Sequence, residues 1–138
     1  MANASTTGFG FRPIKKVGQT DNVGALTEYS VAASSALISH AAMVQLTADG
    51  VVLASGNTDT NNLGTLNGVF YTDATTSKPT FSNYSPASNT ATDIVAFVND
   101  DPRQVYEIMS ADTAFNQNEV GGCADQVAAA GTSPLYIS

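Results

Sequence analysis

The chain has 138 residues, room for one domain with a single core. Only 12% of its residues are charged, so surface polarity falls to Thr, Ser, Asn and Gln. That composition suits a β-rich, loop-rich protein better than long exposed helices. The formal net charge of −7 argues against binding to nucleic acid or to an anionic membrane.

The charge is unevenly placed: Arg12, Lys15 and Lys16 lie together near the start, and every acidic residue follows Thr20. The lone cysteine, Cys123, permits no intrachain disulfide and fits assembly in a reducing cytoplasm; it reads as a buried structural thiol. No apolar run approaches the roughly 18 residues of a membrane span. The first residues lack a basic region followed by an apolar one, so no secretory signal is expected.

Residues 1–20 show neither strand nor helix periodicity. They read as an extended N-terminal arm, with Phe9, Phe11 and Ile14 able to pin it to its own body or to a neighbour. Residues 21–138 read as a single β domain. Residues 25–31 alternate like a strand, whereas 32–42, rich in Ala and Ser, admit a short helix weakened by Ser34, Ser35 and Ser39. The clearest local signal is a hairpin: Met43-Val44-Gln45-Leu46 and Val51-Val52-Leu53-Ala54 flank an Asp49-Gly50 turn. A polar loop is expected over 55–64 and strands over 68–72 and 80–84. Residues 94–98, a continuous apolar run, read as the most buried element, ended by Asp100-Asp101-Pro102 and followed by a return strand over 105–109. A short helical turn is expected near 112–119, and 135–137 resemble one more strand.

Some seven or eight short strands at intervals of roughly 10 residues predict an all-β fold, a small β-barrel or two-layer β-sandwich. The expected core is Val44, Leu46, Val52, Val69, Tyr71, Ile94, Phe97, Val105 and Ile108.

Catalytic patterns fail in turn. The sole histidine, His40, has no G-x-S-x-G motif to serve and reads as a packed or surface residue. One Cys and one His make neither a recognisable nucleophile pair nor a zinc site. Neither Gly8-Phe9-Gly10 nor Gly121-Gly122 matches a phosphate loop. Asp100 and Asp101, with Asn99 and Asp93 nearby, could ligate Ca²⁺ if the chain turned there, but turn initiation by Asp-Pro is the preferred reading. Tyr71, Phe81 and Tyr84 could form a sugar platform; packing between strands is preferred. The chain is therefore read as a non-enzyme with no catalytic residue, cofactor or metal.

Several segments, in order and spacing, resemble the decoration (cement) proteins of marine and cyanobacterial tailed phages. They are Phe9-Gly10-Phe11-Arg12-Pro13-Ile14-Lys15-Lys16-Val17-Gly18, Leu26-Thr27-Glu28-Tyr29 and Val44 to Gly50. Gly68 to Asp73, Lys78 to Tyr84 and Ala96 to Pro102 complete the set. The resemblance implies a β-rich structural virion protein, made in the host cytoplasm. It would bind the outer capsid surface and stabilise contacts between major capsid subunits. It further implies self-association, a trimer ahead of a dimer. Phe9, Phe11, Arg12, Pro13, Ile14, Lys15 and Lys16 are the expected partner-contacting residues, because they join apolar side chains and cations on an otherwise acidic chain. The alternative readings are a receptor- or glycan-binding module and, third, a small hydrolase using Asp100, Asp101 or Glu107.

Overall fold

The computed structural model describes residues 9–18, 26–53, 61–108 and 117–122. Within these the protein is all-β. Eight strands follow one another: β1 (Arg12–Lys16), β2 (Thr27–Ser30), β3 (Met43–Thr47), β4 (Gly50–Leu53), β5 (Asn62–Thr72), β6 (Pro79–Ser82), β7 (Val95–Asn99) and β8 (Gln104–Glu107). A single 3₁₀ turn, Gln117–Glu119, follows them.

The organising strand is β5, 11 residues long and antiparallel to three others. Its first part pairs with β3, its last part with β6, and β7 runs along its other side. The six-stranded sheet is ordered β2-β7-β5-β3-β4, with β6 added on β5. The sheet curls into a half-barrel, because its edge strands meet at a parallel bridge between Val31 and Val51.

The sequence places a loop over 55–64, yet Asn62 to Gly64 belong to β5. Asn and Gly read as turn residues, but this glycine serves a close approach. A Cβ on Gly64 would lie 2.1 Å from the Asn99 carbonyl oxygen. Further along β5 the pairing with β7 shifts between Leu66 and Gly68, so exposed Asn67 is the extra residue of a bulge. Beyond it Val69 and Tyr71 point inward and Phe70 outward.

Val44, Val69, Tyr71 and Ile94 are buried as the sequence predicts, joined by Ile38, Val51, Leu66, Ala96 and Val98. Leu46 is 47% exposed and Ile108 46%, so neither belongs to the core. Leu46 shares its face with Val51, but β2 covers the hairpin on the Val51 side, at the Val31 bridge. Ile108 lies just past the end of β8, beyond its pairing. Phe97 is half-buried because it faces outward between inward-facing Ala96 and Val98. Val105 is half-buried, and the side chain of Val52 lies outside the described residues.

The helix admitted over 32–42 does not form. Ile38 instead exchanges both backbone hydrogen bonds with Ser85, at 3.0 and 2.9 Å, which places its fully buried side chain in the core. Ser34 and Ala41 adopt positive φ, which breaks any helical run. The aperiodic arm also forms a strand: β1 pairs with β8 in a separate two-stranded sheet. A register shift between Pro13 and Lys15 leaves Ile14 unpaired. The strand expected over 135–137 and Cys123 lie outside the described residues.

Gly64→Ala should destabilise the protein by about 2–4 kcal/mol, since a backbone carbonyl occupies the space a methyl needs. Urea denaturation would measure it. A change within about 0.5 kcal/mol, the range of an innocuous surface substitution, would refute this role for Gly64.

Candidate interaction surfaces

The arm is stitched to its own domain. The Phe11 amide donates to the Ala41 carbonyl at 2.9 Å, and the Val17 amide to Arg103 at 2.9 Å. The Gln104 side-chain amide donates to the Lys15 carbonyl at 2.9 Å. Phe11 stands edge-on to Tyr106, with ring centroids 6.3 Å apart. The Arg12 guanidinium lies 5.3 Å above the Phe9 ring and pairs with Glu107. Of the seven residues expected at a partner, Lys16 is buried; Phe9, Phe11 and Pro13 are half-buried; Arg12, Ile14 and Lys15 are exposed.

Lys16 explains why the arm stays down. Its ammonium sits 2.7 Å from Asp101 Oδ2, and its side chain is only 10% exposed. A charge this buried needs its partner. Asp101 also accepts from the Arg103 amide at 2.8 Å. The hydrogen bond from Lys16, then that from the Arg103 amide, holds the Asp101 carboxyl below the usual carboxylate range.

Asp100 turns the other way, toward β2. It accepts from the Thr27 hydroxyl at 2.9 Å and the Tyr29 hydroxyl at 2.7 Å. That bond, with burial, raises the Tyr29 phenol above its ordinary value. The two adjacent carboxylates considered as cation ligands therefore bind protein donors on opposite sides of the chain. Among the described residues no three His, Cys, Asp or Glu side chains are grouped to share a metal ion.

Between arm and barrel lies a pocket of about 440 Å³, with Arg12, His40, Thr65 and Asn99 in its wall. His40 Nδ1 is 3.2 Å from the Asn67 carbonyl, so that nitrogen carries the proton and the ring is held by backbone. The Tyr106 hydroxyl donates to the Asn99 carbonyl at 3.0 Å; burial first of all raises its pKa. Neither a carboxylate nor a thiol lines this pocket among the described residues.

Among the described residues, the most exposed aromatic side chain is elsewhere. Phe81 on β6 is 71% exposed. Its ring stacks on Phe97 at 5.4 Å and 12°, and tilts against Phe70 at 5.6 Å and 53°. Phe70 and Phe81 are direct cross-strand partners, but Phe97 lies on β7, on the far side of β5. Strands two apart are separated by about 9–10 Å. The rings nevertheless meet because Gly68, opposite Phe97, puts no side chain between them. Of the residues weighed as a sugar platform, Tyr71 is buried, Tyr84 half-buried and Phe81 exposed. The continuous apolar run over 94–98 reads as placing Phe97 in the core; pairing of 70 with 81 and of 68 with 97 is what reveals this outer cluster.

Because Asp101 is held below its unfolded pKa, its contribution is present above the ordinary carboxylate range and is lost as pH falls through the lowered value. Lys16→Met should therefore lower Tm at about pH 7, and the gap from the parent protein should close or reverse near pH 2. Thermal melts at both pH values would test this. An equal loss at both would show that Lys16 acts through packing, not through Asp101.

Compared with known proteins, the chain matches no family model, no curated protein and no solved structure.

Proposed function

We propose that this chain is a structural virion protein of a tailed phage, non-enzymatic, bound to the outer capsid surface as a decoration protein. Its partner is the major capsid protein, whose subunit contacts it stabilises, with self-association as a trimer ahead of a dimer. The observation that carries this reading is where the phage-like segments fall. Phe9 to Gly18 contains β1, and Leu26 to Tyr29 contains most of β2. Val44 to Gly50 supplies most of β3 and the turn into β4, Gly68 to Asp73 and Lys78 to Tyr84 make the β5–β6 pair, and Ala96 to Pro102 supplies most of β7 with both carboxylates. The resembling residues are the framework, in contact with one another, rather than scattered turns.

The physics of docking agrees. A surface of short Thr, Ser and Asn side chains loses little rotamer freedom when covered. Many copies on a symmetric shell make modest single contacts collectively strong.

Purified protein mixed with undecorated capsids of its phage should bind saturably, at symmetry-related outer positions visible by cryo-electron microscopy. It should also raise the temperature at which the shells rupture. Absence of binding at saturating protein would overturn the reading. Selective binding to a glycan array, without capsid binding, would favour the receptor-binding alternative.

A further inference from the structure

We propose that the outer face of β6, β5 and β7, centred on Phe81, is the docking face, and that it fits a protein surface offering an apolar pocket bordered by Lys or Arg. This rests on the reading of the chain as a protein that docks on a protein shell, and it moves the contact from the arm to the sheet.

Three observations select this face. Phe81 is 71% exposed and is continuous with two further rings; of the other exposed apolar side chains, Val17 (64%) and Val120 (74%) are small and aliphatic, and Ile14, Leu26, Leu46 and Ile108 are 41–47% exposed. The cluster is also preorganised. All three rings stand on paired strands, and Phe81 is held by Phe97 beneath and Phe70 beside it, so little freedom remains to be lost on binding. Rigid aromatic anchors of this kind dominate interface energies.

The third observation is charge. Glu28 is the direct cross-strand partner of Phe97 and so shares its outer face, exposed to solvent. Asp93, also exposed, accepts the Thr72 amide where β5 ends. Against these acidic groups stands Lys78, beside Pro79. A second copy of this chain, with net charge −7, would bring an acidic rim against an acidic rim. A partner edged with cations gains from the same rim. The arm is poorly suited to the task, because Arg12 and Lys16 are already neutralised by Glu107 and Asp101.

The experiment is co-sedimentation of full-length protein with undecorated capsids, with circular dichroism and melting curves to confirm folding of each variant. Phe81→Ser should weaken binding at least about tenfold, Phe81→Leu less, and Lys15→Ala less than about twofold. Glu28→Lys should weaken binding, more at low salt than at high salt. If the parent protein binds and folded Phe81→Ser binds equally well, the docking face is wrong while the decoration reading stands. If Phe81→Ser instead dissolves an oligomer and leaves capsid binding intact, the face joins copies of this chain and the proposal falls. If the parent protein binds no capsid, both readings fall together.

Discussion

A strand that serves three partners must change what it presents along its length, and the fold depends on how β5 does so. Its first part needs a bare backbone, because Asn99 crosses it where Gly64 has no side chain. The bulge at Asn67 then resets the alternation, so that Val69 and Tyr71 enter the core while Phe70 leaves it. Both the closure of the core and the outer aromatic face follow from this change of phase. Without it the inward and outward residues of the later part would exchange places.

The end of β7 performs a second, electrostatic closure. Asp100 reaches the side chains of β2, and Asp101 reaches the arm through Lys16. Adjacent residues in extended chain point apart, and here that divergence lets one dipeptide fasten two elements distant in sequence. Low overall charge makes such contacts more specific. With five basic residues in the chain, the Asp101 carboxylate has few other cations to pair with.

On the proposed docking, the two closures separate stability from recognition. The arm, whose apolar and cationic residues look like a docking segment, is largely consumed in holding the domain together. The outer face of the sheet, whose residues look like core, is left open and aromatic. An apolar surface rimmed by polar groups is what the proposed docking requires.

The all-β class, the Thr47–Gly50 hairpin and the strands around 70, 81, 97 and 105 were legible from sequence, because strand-length apolar runs between turn residues are a local signal. So was the turn at Asp101-Pro102, closed by the Gln104 amide on the Asp101 carbonyl at 3.0 Å. Four features were decided only by tertiary structure. Gly64 resembles a loop residue until the Asn99 backbone is seen to cross it. The arm shows no period because a five-residue strand containing Pro13 and a register shift cannot display one. Ile38 enters the core from a segment of irregular backbone, where no alternation can predict direction. Phe97 leaves the core because, in a continuous apolar run, side-chain direction is set by register against neighbouring strands, and register is a non-local quantity.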